Sequence, residues 1–174
     1  MEMTLHGNIA LVGFMGVGKT TLLETAQQKG LPGVDTDELI QQKAGMPVSD
    51  IFAQYGEPYF RDLETQAVQQ AAALIGTVIS CGGGAVLRPE NVQALQETGT
   101  VVLLTATPET ILERLADDDT RPKLRGRKTV AGVTELMGER EAAYAAAAQI
   151  TIATDGKTPE EIWEEILAAV QKKY

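Results

Sequence analysis

An apolar run, Ile9-Ala10-Leu11-Val12, passes directly into Gly13-Phe14-Met15-Gly16-Val17-Gly18-Lys19-Thr20 and then into a helical pattern. This reads as a strand, a glycine-rich loop and a helix. In the pattern G-x-x-x-x-G-K-[ST], glycines let consecutive backbone N–H groups turn inward around phosphate oxygens, and the helix that follows adds the positive end of its dipole. Lys19 is expected to reach the β- and γ-phosphates and Thr20 to ligate Mg²⁺. The ligand class is therefore a nucleoside polyphosphate.

Apolar runs go on alternating with helical patterns along the whole chain, as in a parallel sheet covered by helices on both faces. Strands are expected at Ile9 to Val12, at a short run ending in Val34-Asp35, at Thr77 to Cys81, at Val101 to Thr105 and at Ile150 to Ile152. Helices are expected after Lys19, from Glu38, around Val48 to Tyr55, from Pro58 to Ile75, from Pro89, from Pro108, near Val130 to Ala148 and from Pro159. The fold class is α/β, a three-layer, doubly wound, five-stranded parallel sheet. Thr158-Pro159-Glu160-Glu161 offers a capping box, and Thr107-Pro108-Glu109 starts its helix in a similar way. The last helix places Ile162, Ile166, Ala169 and Val170 at helical spacing beside Trp163, which suits packing rather than chemistry.

At 174 residues the chain is expected to form one domain, 1–174. Nothing approaches the eighteen or so consecutive apolar residues of a membrane span. Glu2 stands where a signal peptide would carry basic residues, so no targeting segment and a cytoplasmic location are expected. Cys81 is the only cysteine, which excludes an intramolecular disulfide and a cysteine-based metal site. His6, the only histidine, precedes the first strand, so a general base is expected to be a carboxylate. A formal charge of −9 argues against nucleic acid or an anionic membrane as a partner. Against that background, Arg121, Lys123, Arg125, Arg127 and Lys128 form a basic run, which next to a phosphate loop suits a mobile lid, about residues 117–128, closing over a polyphosphate. With no evident sticky face, a monomer is expected.

Three further segments carry candidate chemistry. Asp35 and Asp37 stand one residue apart where a short strand ends, so in extended backbone both point the same way, toward the carboxyl edge where open α/β sheets bind ligands. One suits Mg²⁺ and the other a substrate hydroxyl, unless Asp37 only caps the helix from Glu38. The strand ending in Cys81 runs into Gly82-Gly83-Gly84, which holds no metal through side chains but lets a substrate approach the backbone and its N–H groups. Arg61 and Glu64 share a helix face, either as a surface ion pair or as an arginine fork oriented toward an anion. Arg140 admits the same two readings.

Taken in order, these motifs resemble those of the shikimate kinases over roughly residues 8–159. The phosphate loop through Thr20, Asp35-Thr36-Asp37, Gly45-Met46 with Ile51-Phe52, Gly56-Glu57 with Phe60-Arg61 and Glu64, Gly82-Gly83-Gly84, Arg121-Pro122 with Leu124, and Arg140 with Tyr144 carry the resemblance. It implies a P-loop fold like that of the nucleoside monophosphate kinases, with ATP-dependent phosphorylation of the shikimate 3-hydroxyl in aromatic amino-acid biosynthesis. It further implies that Gly16, Val17, Gly18, Lys19, Thr20 and Thr21 wrap the nucleotide phosphates, with Thr20 on Mg²⁺ and Asp35 supporting the metal through water. Within a substrate-binding segment of about 36–64, Asp37 would bind the hydroxyls and serve as base, and Arg61 would grip the carboxylate together with Arg140. Gly83, between Gly82 and Gly84, would offer its N–H. Arg121 on the lid would stabilise the transferred phosphoryl group, and Arg114 and Lys157 would line the adenine pocket.

The chain departs from the family pattern in Gln27 to Gly33, where members usually run a longer apolar-patterned helix, and in Lys123, where many have leucine. A gluconate or nucleoside monophosphate kinase is the nearest alternative, because gluconate is also a carboxylated polyol. The glycine triplet and Phe60-Arg61 favour shikimate. No Asn-Lys-x-Asp motif appears, against a GTPase switch, and intact Lys19, Asp37, Arg61, Arg121 and Arg140 argue against a silent relative.

Overall fold

The computed structural model describes residues 5–115 and 128–171. Its centre is the strand β1, Asn8–Val12, buried at every position because neighbours flank it in the sheet and helices cover both faces. All pairings are parallel, and the strand order is β2-β3-β1-β4-β5, with β2 Gly33–Asp35, β3 Val78–Ser80, β4 Gly99–Thr105 and β5 Ile150–Ala153. The five expected strands are present to within a residue or two. Fully buried Ile9, Leu11, Ile79 and Leu104 fill the sheet's faces, each contributing roughly 1.5–3 kcal/mol by burial.

Although β2 follows β1 in the chain, it does not lie beside it. It pairs with β3, Asp35 opposite Ser80, and β3 in turn pairs with β1, Leu11 opposite Ser80. The chain thus leaves β1 for the sheet edge and returns to fill the gap, and the loop following β3 lies between the glycine-rich loop and Asp35. The atypical Gln27 to Gly33 stretch makes this possible in few residues. The helix α1, Lys19–Gln28, ends there, Gly30 turns with φ 88°, and buried Leu31 donates its N–H to the Ala26 carbonyl.

Beyond β2 come α2, Thr36–Ala44, and α3, Val48–Ala72. The latter is two helices broken at Gly56, whose φ 83° and ψ 174° are open to glycine and which is followed closely by Pro58. That matches the two helices expected on either side of the break. Ile40, Ile51, Phe60 and Ala67 form a small core of their own between α2 and α3, separate from the main core around the sheet. A 3₁₀ turn, Ala85–Leu87, leads into α4, Pro89–Thr98, and α5, Pro108–Leu115, α6, Val130–Ala147, and α7, Pro159–Gln171, follow. At α7, Thr158 Oγ1 accepts from Glu161 N–H and Glu161 Oε1 accepts from Thr158 N–H, both at 3.2 Å, a reciprocal cap. Ile162, Trp163, Ile166 and Val170 face inward from that helix. Of the expected lid, only Lys128 is among the described residues; Arg121 and Lys123 lie outside them. Among the described residues no helix is long and apolar enough to cross a membrane.

Candidate active site

The phosphate-type loop sits at the carboxyl end of β1. Gly16 and Gly18 hold φ of 83° and 104°, conformations that turn the chain sharply into the N-terminus of α1. Val17 N–H is used within the loop, donating to the Phe14 carbonyl at 3.3 Å, and the Val17 side chain is buried. Lys19 Nζ donates to the Gly13 carbonyl, folding its charge over the loop. Around this loop lies a cleft of about 370 Å³ lined by Gly16, Gly18, Lys19, Thr20, Thr21, Asp35, Asp37, Ser80, Gly82, Gly83 and Arg114. Arg114 reaches it from α5 by donating to the Gly16 carbonyl at 2.9 Å. A helix N-terminus, a lysine and an arginine make this end suited to a ligand with several anionic oxygens.

Both aspartates line the cleft, though the extended geometry expected of them is absent. The helix α2 begins at Thr36, one residue after the strand, and Asp35 is its N-cap, with Oδ1 accepting from the N–H groups of Asp37 at 2.8 Å and Glu38 at 3.2 Å. Asp37 is therefore not the cap; it stands in the first helical turn. The strand-to-helix switch, not strand periodicity, brings the two carboxylates to one cleft.

Gly82-Gly83-Gly84 forms the wall between this cleft and a smaller one of about 60 Å³ lined by Val48, Phe52, Phe60, Arg61, Glu64, Gly84 and Arg140. Met15, Asp37, Gly82 and Gly83 belong to both clefts, so the two communicate there. Each glycine leaves room for a different charged group. A Cβ on Gly82 would lie 2.7 Å from Asp37 Oδ1 and 3.0 Å from Glu64 Oε2, one on Gly83 would lie 3.0 Å from Arg140 Nη1, and one on Gly84 would overlap the Arg61 guanidinium. Three successive glycines thus allow two arginines and two carboxylates to crowd one stretch of backbone. Thr36 Oγ1 accepts from Gly82 N–H at 3.0 Å and ties the triplet to α2.

Arg61, Glu64 and Arg140 are only 8, 1 and 5% exposed, which excludes the surface-ion-pair reading of Arg61 and Glu64. Glu64 Oε1 holds Arg61 Nη1 at 2.7 Å and Glu57 Oε2 holds Nη2 at 3.1 Å, while the Arg61 guanidinium also lies 5.2 Å from the Phe60 ring centroid. Burial pushes the Glu64 carboxyl above its ordinary value, opposed by Arg61. The two carboxylates hold the guanidinium through more than one N–H, which fixes its plane. Arg140 approaches from α6, with its guanidinium 6.0 Å from the Phe14 ring centroid. A small cleft with two cations at one end and Asp37 at the other suits a ligand that is anionic on one side and hydroxylated on the other.

Not every expected residue joins these clefts. Lys157 lines neither; its Nζ pairs with Glu165 at 2.8 Å. Thr36 and Tyr144 contribute without having been expected to act. Tyr144 lies one helical turn beyond Arg140, a spacing that places both on one face and could have singled it out. The Cys81 thiol lines the larger cleft but is fully buried, which pushes its pKa up to about 12. Another cavity, about 650 Å³, lies apart from these clefts, between β4 and α6. Phe14, Leu104, Met137 and Tyr144 line it, and Glu141 is its one charged residue, so it suits no phosphate.

A family model described as Shikimate kinase matches residues 15–171. The shikimate kinase of Moorella thermoacetica is 44% identical over 168 residues, 96% of this chain and 96% of that protein. The solved shikimate kinase from Acinetobacter baumannii in complex with shikimate superposes with a TM-score of 0.90 at 32% identity, covering 96% of this chain and 94% of that one. A gluconokinase from Sinorhizobium meliloti reaches a TM-score of 0.57 at 16% identity, covering 98% and 94%, a likeness of fold alone. Given a family match that spans both clefts and a relative this similar over nearly its full length, the chain belongs to the shikimate kinase family.

Proposed function

We infer that this protein transfers the γ-phosphoryl group of ATP to the 3-hydroxyl of shikimate, giving shikimate 3-phosphate and ADP. The observation that carries the reading is the pair of communicating clefts, one cationic beneath a phosphate-type loop and one with two buried arginines opposite an aspartate. In the larger cleft, backbone N–H groups of Gly16, Gly18 and Thr20 with Lys19 hold the nucleotide phosphates, and Arg114 lies toward the nucleoside. Thr20 and Asp35 offer hard oxygens, and with Asp35 Oδ1 engaged by the α2 cap the carboxylate has one oxygen left for a metal-bound water, an arrangement that fits Mg²⁺. When bound, Mg²⁺ neutralises charge on the phosphates.

In the smaller cleft, Arg61 and Arg140 grip the shikimate carboxylate, and Glu64 keeps Arg61 aimed at it. Asp37 sits where the clefts meet, so it accepts hydrogen bonds from the substrate hydroxyls and takes the proton of the attacking one. Transfer through a loose transition state asks for alignment and charge neutralisation more than for a strong base, and a carboxylate suffices.

Coupled ADP release measured with shikimate, gluconate and nucleoside monophosphates in parallel tests the assignment. Turnover with shikimate is expected; turnover only with gluconate or a nucleotide would overturn it.

A further inference from the structure

We propose that the Tyr144 hydroxyl is a positioning group that holds the Arg140 guanidinium and the Gly83 peptide as one unit on the acceptor side of the site. Tyr144 is buried on α6, one turn beyond Arg140, and its Oη donates to the Gly83 carbonyl at 2.6 Å. Arg140 lies close enough to the same hydroxyl for its charge to oppose the effect of burial on it. The phenol proton goes to the Gly83 carbonyl, which leaves the lone pairs of Oη for a donor such as the neighbouring guanidinium. Burial pushes the phenol pKa above its ordinary value, so it remains a donor across the neutral range.

The consequence follows from peptide planarity. The Gly82 carbonyl accepts from Ala85 N–H at 3.0 Å, which sets the peptide plane that carries Gly83 N–H. The Gly83 carbonyl, on the next plane, is set by Tyr144. Glycine restricts neither of its own torsions, so these two bonds define the conformation on either side of Gly83. Arg140 Nη1 lies 3.0 Å from where a Gly83 Cβ would stand, so the peptide and the guanidinium lie against one another. Without the hydroxyl, the part-buried carbonyl loses its donor, and the peptide that lies against the guanidinium is free to turn. Tyr144 itself lines neither cleft and opens instead on the apolar cavity behind them.

This inference rests on the assignment of Arg140 and Gly83 to acceptor binding. Tyr144→Phe keeps the ring and removes the hydroxyl. The expected result is a shikimate KM raised about threefold to thirtyfold, with kcat and the ATP KM within about twofold of wild type. In an Arg140→Ala background the same substitution should raise the shikimate KM by a clearly smaller factor, because one of its two targets is gone. An unchanged KM in Tyr144→Phe, or factors that simply multiply in the double variant, would overturn the proposal. Gly83→Ala provides a second route should Tyr144→Phe fold poorly. Gly83 does not hold a positive φ, and its added methyl presses on Arg140 Nη1 without touching Tyr144, so the same selective rise is expected, and its absence also counts against the unit. A wild-type protein inactive on shikimate would instead defeat the assignment of function itself.

Discussion

Replacing Gly84 by alanine isolates the arginine clamp from everything else in the site. Gly84 has φ −103° and ψ 9°, which alanine adopts readily, so the added methyl acts by size and not by backbone strain. Its Cβ would lie 2.5 Å from Arg61 Nη2 and 2.6 Å from Cζ, with Nη1 closer still, whereas comfortable contact needs about 3.5–4.0 Å. The guanidinium must retreat by about 1 Å, and Glu64 at 2.7 Å and Glu57 at 3.1 Å resist the movement. A hydrogen bond to a charged group contributes about 1.5–3 kcal/mol, so its loss should raise the shikimate KM about tenfold to a hundredfold. The ATP KM should stay within about twofold, because the nucleotide cleft is not lined by Gly84. Coupled ADP release with shikimate varied at saturating ATP reads both constants. A thermal midpoint lowered by a few degrees should accompany the change, since a displaced Arg61 leaves buried Glu64 incompletely paired. An unchanged shikimate KM would refute the reasoning, and so would an equal rise in both constants.

Three shorter expectations follow from other parts of the molecule. Asp37→Asn should collapse turnover while ATP binding, followed by titration, stays nearly unchanged; equal loss of both would make Asp37 structural. The Cys81 thiol, held up to about 12 by burial, should resist alkylation at pH 8 in the folded protein and react once it is unfolded, and rapid native labelling would contradict the burial. Because that raised value lets the unfolded chain lose its proton first, wild type should lose stability as pH rises from about 9 toward 12, and Cys81→Ala should flatten that slope. Thr158→Ala should lower stability by about 1 kcal/mol through loss of the α7 cap, with kinetic constants unaffected, as thermal melts and the same assay would show.

Local patterning made much of the fold legible. Four apolar strand cores, the loop from Gly13 to Thr20 and the Thr158 capping box depend on residues close together in the chain, and each formed where its spacing implied. The place of β2 was not legible, because a strand's neighbours are set by crossovers and no local pattern records that β3 returns between β1 and β2. Asp35 and Asp37 reach the cleft as expected, but through a helix cap that starts one residue after the strand, and strand and cap signals overlap there. The pairing of Lys157 with Glu165 was not legible either, because the two stand eight positions apart and meet only through the turn into α7.

The order of residue types along this chain determined by itself the α/β class, the phosphate-type loop and the family. Those properties depend on spacing within single elements, where backbone geometry ties position to direction. Only the tertiary structure decided that β3 lies between β1 and β2, which puts the glycine triplet where Asp37, Arg61 and Arg140 arrive from three different helices. It also decided that Arg61 and Glu64 are a buried pair rather than a solvated one, and that the Tyr144 hydroxyl meets the Gly83 carbonyl. Burial and long-range hydrogen bonds are properties of the packed chain, because they depend on which surfaces meet, and Gly83 and Tyr144, 61 positions apart in sequence, meet only after the sheet has closed them together.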